Sequence, residues 1–87
     1  MSSTEHLVKM ANDTADYFAS EPDRAAATSG IAQHLRRFWE PRMRRRIGAH
    51  LEAGGEGLNE LALAGVRELV AMERVEMARG AGKKATA

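Results

Sequence analysis

The chain contains no cysteine. That removes disulfides, thiolate-held metals and clusters, and cysteine nucleophiles together. Small secreted domains usually depend on disulfides, so the absence fits a reducing, cytoplasmic setting. Aromatics are scarce at 5%, and only two prolines punctuate 87 residues. No stretch approaches the roughly 18–20 apolar residues of a membrane span. The first six residues hold no basic region followed by an apolar one, so no signal peptide is expected. No segment alternates with the two-residue period of a half-buried strand. Catalytic vocabulary is also thin, with no recognisable Ser–His–Asp arrangement and no phosphate loop following a strand. Gly54-Gly55-Glu56-Gly57 lacks the Lys-Ser/Thr of a phosphate loop and reads as a turn between helices. His6, His34 and His50 fall on three separate predicted helices, without the paired spacing of a helical zinc motif.

What remains is 44% hydrophobic and 29% charged, which suits one small globular domain. A chain of this size nets only roughly 3–5 kcal/mol from a single core. Without a disulfide or metal, another protein surface is the commonest further source of stability. Net charge is +1 but unevenly spread. Residues 1–30 and 51–79 are acidic, while residues 31–50 carry six arginines against one acid.

Helical spacing runs throughout. Ser2 and Glu5 have the spacing of a capping box for a first helix from Ser3 or Thr4 to about Ser20. Leu7, Ala11, Thr14 and Phe18 lie along its apolar stripe, with Lys9, Asn12, Asp13 and Asp16 opposite. Pro22 interrupts the pattern. Thr28 or Ser29 is expected to cap a second helix running to about Trp39. Pro41 suits the first position of a third, which carries Met43, Ile47 and Leu51 and stops at Gly54 or Gly55. Asn59 caps a fourth, with Leu58 and Leu63 at staple spacing, ending near Met77 or Ala78. Its apolar arc is roughly 200° wide, more than a surface helix needs. Either it is central in a bundle or it serves both its own core and a partner's groove. Ala62 and Gly65 would let another backbone come close. The expectation is an all-α bundle of about four helices, with a proline-marked hinge between the second and third. Residues 1–79 form one domain, and residues 80–87 form a disordered tail.

The densest feature joins Arg36, Arg37, Phe38, Trp39, Pro41, Arg42, Arg44, Arg45 and Arg46. Arginine's planar fork binds carboxylates and phosphates and stacks on rings. Three readings compete: a solvated basic face, a docking surface for an acidic protein, and a nucleic-acid or phosphate site. Near-zero net charge argues against the last. Trp39 is either a core plug at the hinge or an exposed interface anchor.

Three segments carry a family resemblance: Leu7-Val8-Lys9-Met10-Ala11-Asn12, His34-Leu35-Arg36-Arg37-Phe38-Trp39-Glu40-Pro41-Arg42-Met43, and His50-Leu51-Glu52-Ala53-Gly54-Gly55-Glu56-Gly57-Leu58. Over roughly residues 5–70 the chain resembles the delta subunit of cytoplasmic NAD-dependent, molybdenum-containing formate dehydrogenases. The resemblance implies a complex that oxidises formate to carbon dioxide and passes the electrons to NAD. Other subunits would carry a molybdenum pterin dinucleotide, iron–sulfur clusters and FMN, and this chain none. It implies a non-catalytic accessory subunit that stabilises the catalytic alpha subunit or assists its assembly and cofactor loading, and through it meets the other subunits. The nine residues from Arg36 to Arg46 named above would then be the partner-binding set. A small arginine-rich regulator of nucleic acid, or an adaptor for an unrelated acidic protein, is the alternative.

Overall fold

The structure is a computed structural model that describes the backbone of residues 2–86 and the side chains of residues 2–79. Four helices follow one another: α1 (Ser3–Phe18), α2 (Arg24–Phe38), α3 (Pro41–Glu52) and α4 (Glu60–Thr86). Among the described residues there is no strand. The all-α expectation therefore holds.

Local chemistry sets most boundaries. The Ser2 hydroxyl accepts the Glu5 N–H at 3.1 Å and so caps α1. Pro22 separates α1 from α2. The second helix starts earlier than the sequence suggests, because the carboxylate of Asp23, not Thr28 or Ser29, accepts the first free N–H, that of Ala25, at 3.0 Å. Three alanines follow Asp23 and Arg24 and have the best helix propensity of any residue, so the helix propagates from that cap. Thr28 turns its hydroxyl back onto the Arg24 carbonyl instead.

The α3–α4 connection is tightly determined. Gly54 and Gly55 have φ of +121° and +67°, conformations that side chains with a Cβ rarely adopt. Their N–H groups return to the carbonyls of Leu51 and His50 at 3.0 and 2.9 Å. This paired closure satisfies two otherwise orphaned carbonyls of α3. Asn59 then caps α4 by accepting the Ala62 N–H at 2.8 Å. The α1 residue Asn12, placed on the polar side by periodicity, clasps this loop. Its amide donates to the Gly57 carbonyl at 2.9 Å and accepts the Asn59 N–H at 2.9 Å.

At ~1.5 Å per residue the 27 residues of α4 span about 40 Å. It runs past the expected end at Met77 or Ala78. The expected tail over residues 80–87 lies outside the residues whose side chains are described. α4 is central, packing against α1, α2 and α3 in turn. The core gathers Leu7, Ala11, Ile31, Leu35, Trp39, Ile47, Val66 and Leu69. The tightest crossing is between α2 and α4, where a Cβ on Gly65 would collide with the side chain of Ile31.

Two stability outcomes follow from these contacts. Gly65→Ala removes a helix-interior glycine, a change worth up to about 1 kcal/mol of stabilisation on an open face. Here overpacking against Ile31 reverses the sign, and chemical denaturation should show a loss of about 1–3 kcal/mol. Ile31→Ala, which removes the colliding Cγ2, should cost less in that background than alone; full additivity of the two losses would contradict the contact. Asn12→Ala should cost about 0.5–1.5 kcal/mol by removing its hydrogen bonds to the Gly57 carbonyl and the Asn59 N–H, both of which water can reach. A melting temperature unchanged from the parent chain would show that the clasp does not support the fold.

Candidate functional site: the arginine corner between α2 and α3

The corner is built by two extended residues. Trp39 has φ −89° and ψ 140°, and Glu40 has φ −65° and ψ 152°. Glu40 precedes proline, which excludes the helical conformation by collision with the proline ring. Pro41 then opens α3, where its missing N–H leaves nothing unsatisfied. Trp39 is 5% exposed and belongs to the core. Of the two roles weighed for it, the core plug is the one the packing displays.

Arg44 braces the corner from inside. Its side chain is 17% exposed. One terminal nitrogen donates to the Trp39 carbonyl at 2.7 Å and to the Arg36 carbonyl at 3.0 Å. Both carbonyls end α2 and would otherwise lack a partner. Its Nε donates to Glu73 of α4 at 3.0 Å. Arg36 pairs with Glu76, one helical turn further along α4. The stripe of α4 that begins apolar with Ala62, Val66 and Leu69 continues as half-buried Glu73 and exposed Glu76. The sequence reading did not single out these two glutamates as partners of the arginines. Their spacing of four and seven from Leu69 was the available signal, since it puts both on the side of α4 that meets α2 and α3.

The remaining cations point outward. Arg42, Arg45 and Arg46 are exposed. At ~100° per residue they span about 100° of the outer face of α3. No carboxylate pairs with them among the described residues. Arg42 and Arg46 border an open cleft of about 410 Å³ beside the start of α1, with His6 on its rim and Leu7 and Met43 beneath. Arg45 lies on the α4 side, near the Glu52–Arg74 pair. Arg37 sits 5.9 Å above the Phe38 ring, at the outer limit of a cation–π contact. Phe38 is 67% exposed. The nine residues therefore divide. Trp39 and Arg44 serve the fold, and Arg36 is shared with Glu76. Arg37, Phe38, Pro41, Arg42, Arg45 and Arg46 remain at the surface.

One outward arginine works against its own helix. The first turn of α3 has no acid, and its positive N-terminus disfavours Arg42, the outward cation within that turn, by about 0.3–1 kcal/mol. The helix is held by Ile47, Met43 and Leu51 in the core and by Arg44, not by its surface charges.

A family model described as NADH-dependent formate dehydrogenase delta subunit, FdsD, matches residues 6–66. The chain belongs to this family. The match takes in α1, α2, the arginine corner, α3, the loop clasped by Asn12 and the start of α4. Among curated proteins and among solved structures, none matches the chain. The family places the chain in a formate dehydrogenase that uses NAD, with other subunits as its partners. The donor set here does not fit an iron–sulfur cluster, for want of any cysteine. Nor do the described residues form a group of three metal-ligating side chains. His50 meets the Glu56 carbonyl at 2.7 Å, His34 stacks beside Phe38, and His6 is exposed. No described helix is long and apolar enough to cross a membrane.

The division of the arginines predicts a division of phenotypes. Arg44→Ala should lower unfolding free energy by about 1–3 kcal/mol, since it strands two carbonyls and Glu73. Arg42→Ala, Arg45→Ala and Arg46→Ala should each stay within about 0.5 kcal/mol of the parent chain. Equal losses at Arg44 and Arg45 in urea titrations would contradict the assignment.

Proposed function

We propose that this family member is a non-catalytic accessory subunit that docks on an acidic surface of the catalytic alpha subunit of a cytoplasmic formate dehydrogenase, stabilising it or assisting its assembly and cofactor loading. The observation that carries the reading is the outer face of α3. Three arginines stand there without carboxylate partners among the described residues, one of them, Arg42, opposed by its helix dipole, in a chain that belongs to a delta-subunit family. A partner carboxylate bonded two-pronged to such a guanidinium offsets that local cost. Aromatic and arginine side chains are also those that most often anchor interfaces. Molybdenum pterin dinucleotide, iron–sulfur clusters and FMN belong in this reading to the other subunits. The chain's near-neutral charge and acidic α1 disfavour nucleic acid as the partner.

The deciding experiment is a native pull-down with the tag at the C-terminus, assayed for formate-dependent NAD reduction, molybdenum and iron. Stoichiometric, active enzyme is the expected result. Joint charge reversal by Arg42→Glu and Arg45→Glu should release it at physiological salt while leaving the chain folded. Recovery of an inactive, metal-poor precursor would assign an assembly role. Recovery of no redox protein would overturn the proposal.

A further inference from the structure

A second surface adjoins the α3 arginines across the end of α2. The end of α1, the middle and end of α2, and Met72 of α4 enclose an open trough of about 630 Å³. Its floor is aromatic. Phe18 and His34 meet edge to face at 6.5 Å, and His34 meets Phe38 at 4.8 Å. Tyr17 continues the row, edge to face with Phe18 at 5.2 Å. A Cβ on Gly30 would come within 2.6 Å of the Phe18 ring, so that ring lies directly on the α2 backbone and leaves the trough open above it. Phe38 and Tyr17 are 67% and 80% exposed. Contiguous exposed aromatics of this kind mark interaction surfaces.

Charge selects the occupant. Gln33, Arg36 and Arg37 form the rim. Arg36 already pairs with Glu76, while Arg37 has no carboxylate partner among the described residues. A second copy of this chain, docked by two-fold symmetry, would set Arg37 against the same cationic rim. That juxtaposition is repulsive in a partly desolvated interface. A segment bearing apolar side chains and carboxylates is attracted on both counts, as in helix-in-groove recognition. The two sites adjoin at the corner: Phe38 ends α2 and Arg42 lies four residues on in α3, a span of at most ~14 Å. They face different ways, since Phe18 in the trough and His6 beside Arg42 and Arg46 stand at opposite ends of α1.

We infer that this trough is a second docking site, which takes an acidic amphipathic segment of another formate dehydrogenase subunit, or of a separate stretch of the same one. The inference rests on the accessory-subunit reading above. With two sites on adjoining faces of one corner, the chain clamps two segments at once, and each contact raises the effective concentration of the other.

The test uses the full complex. A photo-crosslinking amino acid is placed at position 38 in one sample and at position 45 in another, and the captured peptides are identified by mass spectrometry. Position 38 should capture a carboxylate-bearing apolar segment of a formate dehydrogenase subunit, distinct from the segment captured at position 45. Phe38→Glu should weaken retention of the chain in the complex about tenfold or more. Because Phe38 is exposed, its thermal melt should match the parent chain. Arg37→Glu should weaken retention in the same direction. If the unsubstituted chain does not associate with formate dehydrogenase, the accessory reading fails and takes this inference with it. If it associates but Phe38→Glu is retained equally well, the trough is not a docking site while the accessory reading stands. Crosslinking at position 38 only to a second copy of the chain would also overturn the inference.

Discussion

The close crossing of α2 and α4 is the constraint on which the other contacts depend. Gly65 lets the α4 backbone approach Ile31 more closely than any side chain would allow. That approach sets the spacing of the two helices along their length. Ala62, Val66 and Leu69 then become solvent-free, and Glu73 and Glu76 come beneath the end of α2. A wider crossing would draw Glu73 and Glu76 away from Arg44 and Arg36. Packing of small residues and pairing of charges are thus consecutive consequences of one geometry.

The arginine corner shows how one composition supports two roles. Arg44 is largely removed from water, and its hydrogen bonds to two carbonyls and a carboxylate offset that desolvation. Arg42, Arg45 and Arg46 remain solvated and keep their charge available. Only one or two positions along α3 separate these fates. A helix turns by ~100° per residue, so neighbours in sequence face different surroundings. The result is a rigid internal brace carrying an external cationic face. In the proposed docking, a surface mounted on a braced corner would lose less conformational entropy on association than one on a loop.

The loop between α3 and α4 contributes order of a different kind. Its two left-handed glycines end α3 sharply, and Asn59 restarts the chain as α4 within a few residues. Asn12 ties that loop to α1, so three helices are mutually located by backbone hydrogen bonds and one amide. This matters in a chain with few large apolar side chains, where directional bonds must supply specificity that a larger core would supply by shape.

The helices themselves were legible in the sequence, because caps, prolines and 3.6-residue periodicity act over a few residues. Ser2, Pro41, Gly54 and Asn59 each mark a boundary through a group that the nearby backbone either lacks or needs. The start of α2 was misplaced only because two other capping residues, Thr28 and Ser29, follow an alanine run that carries no pattern. The arginine cluster was legible as a feature, and so was the family resemblance it carries. Its internal partition was not. Whether an arginine faces Glu73 or solvent depends on which helix crosses above it, and Arg44 and Glu73 lie 29 residues apart. The same holds for Asn12, polar in the periodic pattern yet bonded to a loop more than forty residues away. The sequence by itself determined helix content, the turns and the excess of cations at one corner, all of them short-range properties of backbone and charge. Only the tertiary structure decided which cations were consumed in holding the fold and which aromatics were left at the surface, because long-range packing sets the dielectric and the partner of each side chain.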